Sequence, residues 1–108
     1  MNVVNANMNS AQLRRLSIYD YSAEGDFDSG YSYTFTDDNI MICLELTYDG
    51  YFVALYDLQG QLIRPRVHTD IYTDQHPMVR RHFELNNALK IANELYRHYY
   101  LEFYENQQ

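Results

Sequence analysis

The chain has 108 residues, 46% of them hydrophobic, and carries 15 acids against 8 bases for a net charge of −7. That is the length of one domain with enough apolar content to pack a core. The acidity excludes a nucleic-acid grip by the chain as a whole, and no apolar run approaches the roughly 20 residues of a membrane span. The lone Cys43 excludes an intrachain disulfide, so a reducing, cytoplasmic setting with no secretory leader is expected.

Residues 1–9 hold four Asn and two Met without a clear period and read as a flexible lead. The single domain is expected to span residues 10–108. Asn9 or Ser10 is placed to cap a short N-terminal helix running to about Leu16. Residues 19–30 mix Asp, Ser and Gly with Tyr19, Tyr21 and Phe27 and read as a loop.

Strands follow. Tyr31, Tyr33 and Phe35 alternate with Ser32, Thr34 and Thr36, and Ile40, Ile42, Leu44 and Leu46 alternate with Met41, Cys43 and Glu45. Period two with β-branched and aromatic residues predicts strands. A two-residue turn at Asp38-Asn39 pairs Phe35 with Ile42 and Tyr33 with Leu44. A type I′ turn at Asp49-Gly50 pairs Tyr48 with Tyr51, Leu46 with Val53 and Leu44 with Leu55. Both turns put Tyr31, Tyr33, Phe35, Ile42, Leu44, Leu46, Val53 and Leu55 on one face, and a one-residue slip in either would destroy it. A short fourth strand is expected at 61–64, confined to an edge by Pro65.

Residues 65–76 read as a connection. Leu85, Leu89, Ala92, Tyr96, Tyr99 and Phe103 then keep a +4/+3 spacing, which predicts a helix capped by Asn86 and running to about 104. A break near Phe83 is the preferred reading, and one helix over 77–104 is the alternative, since Pro77 suits a first helical position. The expected fold is α+β: a three- to four-stranded antiparallel meander, a long C-terminal helix packed on one face, and a short N-terminal helix.

Charge is segregated along the chain. Residues 16–63 carry nine acids and no Lys, Arg or His, whereas residues 64–98 carry six bases, four acids and all four His. His68, Asp70, Asp74 and His76 have the residue types of a metal site, but in a connection whose spacing fixes no geometry. No cofactor is expected. Cys43 sits between Ile42 and Leu44, where burial disfavours the thiolate. The chain lacks a Gly-x-Ser-x-Gly elbow and a glycine-rich phosphate loop, so no catalytic residue is assigned and an enzyme is not expected. Arg14-Arg15-Leu16-Ser17 fits a short kinase pattern, but a helix end carrying two Arg is the preferred reading.

Twelve Tyr and no Trp leave several tyrosines beyond what a core needs. Exposed Tyr gives contact area at low entropic cost. Asp20, Asp26, Asp28, Asp37, Asp38 and Asp49, with Tyr19, Tyr21 and Tyr51, are therefore the expected partner-binding residues. Such a surface suits a basic, aromatic-tolerant groove like that of a nucleic-acid-binding protein.

The stretch Tyr31-Ser32-Tyr33-Thr34-Phe35-Thr36-Asp37-Asp38-Asn39, leading into two further strands and a helix, resembles the small acidic anti-CRISPR inhibitors encoded by phages. The resemblance covers residues 31–57 and the general layout and carries over no family residue. It implies a non-enzymatic inhibitor that covers the nucleic-acid-binding surface of a nuclease or CRISPR effector complex. The basic second half departs from a pure nucleic-acid mimic. Other readings of the same residues are an immunity protein or antitoxin against a basic toxin, a metal protein using His68, Asp70 and His76, and a subunit that dimerises through its helix. Monomer and homodimer are both compatible with the sequence.

Overall fold

The structure, a computed structural model, describes residues 15–69 and 77–107; for residues 77, 78 and 100–107 it describes the backbone alone. Five strands form one antiparallel sheet in the order β1-β2-β3-β4-β5: β1 Ser22–Asp26, β2 Gly30–Thr36, β3 Ile40–Thr47, β4 Gly50–Asp57 and β5 Val67–His68. One helix, α1, spans Pro77–Gln107 and packs on β4 and β3. The expected α+β meander with a long C-terminal helix is therefore present, with five strands rather than three or four.

The β2–β3 hairpin has the predicted register, with Tyr33 opposite Leu44 and Phe35 opposite Ile42. The β3–β4 hairpin does not. Thr47 pairs with Gly50, Leu46 with Tyr51, Leu44 with Val53 and Ile42 with Leu55, so the turn residues are Tyr48 and Asp49. Gly50 alone takes positive φ, at 108°, which is the geometry of a type I turn followed by a left-handed glycine rather than of a type I′ turn. The slip is two residues. A shift of two keeps every side chain on its face, so the apolar face survives with its partners changed.

Two corrections lie at the sheet edges. The predicted loop at 19–30 contains β1, fully exposed, whose pairing runs from Ser22 opposite Thr34 to Asp26 opposite Gly30. The predicted strand at 61–64 shrinks to a bridge between Leu62 and Tyr56, and β5 pairs with β4 after Pro65. A proline cannot donate to the ladder, so the chain leaves the edge and rejoins it.

The core lies between the sheet and α1. Ile40, Ile42, Leu44, Tyr51, Val53 and Leu55 meet Ala88, Ala92 and Tyr96, with Leu85, Leu89, Ile91 and Leu95 at the flanks. The small Ala88 and Ala92 let the helix approach the sheet closely. Helix α1 is continuous, without a break near Phe83, and Asn86 lies inside it rather than capping it. No proline or glycine interrupts residues 78–107, so nothing in the sequence stops the helix once Pro77 has started it. At about 46 Å it is much longer than the eight-residue strands it crosses.

The short N-terminal helix is a 3₁₀ turn at Ile18–Asp20. The predicted span from residue 10 falls mostly outside the described residues, and Arg15, Leu16 and Ser17 are not helical. Leu16 is buried, and Asn93 on α1 clamps its backbone. The Leu16 N–H donates to Asn93 Oδ1 at 2.7 Å, and Asn93 Nδ2 donates back to the Leu16 carbonyl at 3.0 Å.

Candidate functional site

The meander sends its connections to two opposite ends of the sheet, and the acids follow them. At one end lie the 3₁₀ turn, the β2–β3 turn and the exit of β4, carrying Asp20, Asp37, Asp38 and Asp57. At the other lie the β1–β2 and β3–β4 turns, carrying Asp26, Asp28 and Asp49. Seven of the nine acids of residues 16–63 thus form two groups at opposite ends rather than one continuous face, while Glu24 and Glu45 lie within the sheet.

Most of these carboxylates are held by backbone amides. Ser17 N–H donates to Asp20 Oδ2 at 2.8 Å in a capping box. Asp37 Oδ1 accepts from the N–H groups of Asn39 and Ile40 at 2.8 and 2.9 Å, and Tyr96 Oη donates to Asp37 Oδ2 at 3.3 Å. Asp57 Oδ1 accepts from the N–H groups of Gln59 and Gln61, each at 2.9 Å. At the far end Ser29 N–H donates to Asp26 Oδ1 at 2.6 Å, and that bond draws the Asp26 carboxyl below its ordinary range. Asp28, Asp38 and Asp49 are exposed. Turn aspartates mostly fold the chain, because a short carboxylate can satisfy local amides that the turn leaves open.

The tyrosines expected at the surface divide. Tyr19 is 94% exposed. Tyr21 and Tyr51 are core residues, 8% and 2% exposed, which contradicts their placement on the surface. Tyr21 packs on Phe35 with ring centres 5.9 Å apart, and Phe35 meets Tyr96 edge-on at 5.7 Å. The Tyr21 hydroxyl is buried without a hydrogen-bond partner among the described residues, and burial, reinforced by the Asp20 charge, drives its pKa well above the ordinary value. Tyr51 Oη donates to the Tyr31 carbonyl at 2.7 Å, and burial pushes its pKa up to about 12. The two-residue slip explains Tyr51: it moves from beside the turn to a position opposite Leu46, inside the sheet. The same slip puts Tyr48, which is fully exposed, on the turn itself.

The sheet face turned away from α1 is uncovered by any described element. Its centre is a closed triangle: Tyr56 Oη donates to Glu45 Oε1 at 3.0 Å, Arg66 Nε to the same oxygen at 3.1 Å, and Arg66 Nη2 to Tyr56 Oη at 2.9 Å. Cys43 lies beside Thr34 on this face, its Sγ 3.9 Å from Thr34 Oγ1, and burial pushes its thiol up and away from the nucleophilic form.

Arg80, Arg81, His68 and His82 sit at the end where α1 begins. Arg80 Nε pairs with Glu84 Oε1 at 3.0 Å, and Glu84 is buried against Gly50. His68 Nε2 lies 2.7 Å from the Asp49 carbonyl oxygen, with its ring 4.6 Å from that of Phe52. That ring is committed to the hairpin; Asp70, Asp74 and His76 lie outside the described residues. No group of three or more metal-ligating side chains occurs among the described residues. The predicted helix stripe is spent on the chain's own sheet through Leu85, Leu89, Ala92, Tyr96 and Tyr99, which removes it as a two-helix seam; the Phe103 side chain lies outside the described ones. No helix among the described residues is long and apolar enough to cross a membrane.

No family model matches the chain, and no curated protein or solved structure does either.

Proposed function

We propose that the protein is a non-enzymatic, protein-binding inhibitor of phage, anti-CRISPR type. Its acidic end occupies the basic nucleic-acid-binding groove of a nuclease or CRISPR effector complex in the cytoplasm. The observation that carries this reading is the grouping of Asp20, Asp37, Asp38 and Asp57 at one end of the sheet, three of them anchored by backbone amides. A carboxylate already fixed by its own backbone loses little freedom on binding, so it meets a guanidinium or ammonium as a preorganised phosphate substitute. Tyr19, exposed beside Asp20, adds apolar contact.

The experiment is binding to a purified effector complex, or to a basic nuclease, by titration calorimetry at low and high salt. Asp38 is the position to reverse, because Asp37 also holds its turn together. Asp38→Lys is expected to weaken binding at least about tenfold, and salt to weaken it further. Asp28→Lys, the same charge change at the opposite end, is expected to leave affinity within about twofold. Affinity that survives both Asp38→Lys and high salt removes the electrostatic mechanism.

A further inference from the structure

We propose that the end of the sheet opposite Asp37 holds a second site, a binding cleft for a small aromatic oxyanion: a single ring carrying a phosphate or carboxylate. The cleft measures about 200 Å³ and is walled by Phe27, Tyr31, Tyr33, Leu85, Arg81 and His82, with Tyr51 and Gly30 at its floor. That is below the roughly 300 Å³ at which drug-sized ligands begin, so it suits one ring with one charged group.

The walls specify the ring. Phe27 is 78% exposed at the β1–β2 turn, and Tyr31 and Tyr33 lie in tilted contact with centres 6.4 Å apart. Aromatic walls at these spacings accept a further ring edge-on or offset.

Arg81 specifies the charge. Its neighbour Arg80 is neutralised by Glu84, but Arg81 is exposed and makes no ion pair among the described residues. An unneutralised guanidinium beside aromatic walls presents a planar fork to phosphate or carboxylate. A neutral aromatic would leave that fork unused, and an organic cation would be repelled by it.

Gly30 keeps the cradle open. Its φ is 96°, and a Cβ there would clash with Leu46 Cδ2 and stand 3.1 Å from Arg81 Nη1. Any side chain at position 30 would force the Leu46 side chain to move and crowd the guanidinium that rests on the strand. The Tyr51 hydroxyl is already committed to the Tyr31 carbonyl, so the floor does not compete for the ligand's oxyanion.

The test is a titration of the full chain with phenyl phosphate and with benzoate, followed by amide NMR shifts. Saturable shifts are expected at Tyr31, Arg81 and Leu85. Phenol and inorganic phosphate, each carrying half of the recognition, are expected to bind at least about tenfold more weakly. Arg81→Gln is expected to lose at least about tenfold in affinity. Arg97→Gln removes an exposed charge about 24 Å further along α1 and is expected to change nothing beyond about twofold. Phe27→Ala takes away one wall at an exposed turn, where the fold does not depend on it, and is expected to weaken both aromatic ligands alike. The proposal is overturned by any of three results: no saturable shift with either aromatic anion, equal losses in Arg81→Gln and Arg97→Gln, or inorganic phosphate binding as tightly as phenyl phosphate.

Discussion

The two ends of the sheet are built from the same kind of part, a tight turn with aspartate, and they arrive at opposite chemistry. At the Asp37 end Asp20, Asp37 and Asp57 are turned onto backbone amides, and Tyr21 and Tyr96 behind them are packed into the core. At the Arg81 end the helix begins, bringing Arg80, Arg81 and His82 over two glycines, and the aromatic side chains stay partly open. The difference teaches that aspartate count alone does not locate a binding surface. What separates the ends is which element overlies the turns, and whether it brings cations.

The contrast breaks hardest at Asp37. Its carboxylate holds two backbone N–H groups and receives the Tyr96 hydroxyl, so Asp37→Ala is expected to cost about 2–3 kcal/mol. Asp38→Ala, one residue on and exposed, is expected to stay within about 0.5 kcal/mol. Urea denaturation of the pair measures the gap; equal midpoints would mean the turn does not depend on Asp37.

The corresponding position at the other end is Gly50. A Cβ there would meet Glu84 Oε2 at 3.2 Å, on a backbone whose φ of 108° disfavours side chains. Gly50→Ala is expected to cost about 1–2 kcal/mol by the same measurement, less than the loss of Asp37. A larger loss here than at Asp37 would reverse the order of the two ends.

The smallest effect at neutral pH, and the one that reports on both ends together, is alkaline. Tyr51, at the cation end, has its pKa raised to about 12, and Tyr21, at the acid end, is raised further by burial. A group with a raised folded pKa contributes stability below its unfolded value near 10 and loses it as pH climbs toward the folded value. Stability is therefore expected to decline slightly from about pH 9, where the raised Cys43 thiol begins to titrate in the unfolded chain, and to fall more steeply between pH 10 and 12. Tyr51→Phe is expected to flatten part of that slope while losing one hydrogen bond at neutral pH. Tyr21→Phe is expected to flatten it with no loss at neutral pH, since its hydroxyl has no partner among the described residues. Thermal melts from pH 8 to 11.5 check both; an unchanged slope in the double variant removes the buried phenols as its cause.

What was legible in the sequence follows the physics of periodicity. The β2–β3 register could be read because Asp38-Asn39 leaves only one short turn between two alternating runs. The β3–β4 register could not, because a two-residue slip is invisible to a pattern of period two; it preserved the apolar face and misplaced Tyr48 and Tyr51. β1 was illegible because Ser22, Glu24 and Asp26 offer no apolar alternation; it is held by ladder bonds to β2 alone. The helix stripe was legible, and its start was legible only as the Pro77 alternative to a break near Phe83, since the first residues of α1 add little to the core stripe. As for the candidate residues, the acid-rich stretch was plain in the sequence. Which aspartates spend themselves on backbone amides depends on turn geometry, which composition does not carry.

Asn93 has a consequence for the order in which the molecule comes apart. It joins Leu16 to α1 across 77 positions of sequence, a contact that only the assembled sheet and helix bring together. To hold itself there the segment has one buried leucine and one amide's pair of bonds. The strap is thus the part of the fold with the least free energy of its own. It is expected to open and reclose while sheet and helix stay intact, docking last during folding and leaving first. Because it carries Tyr19 and Asp20 with it, part of the acidic end belongs to this separable unit, while Asp37 and Asp38 belong to the sheet.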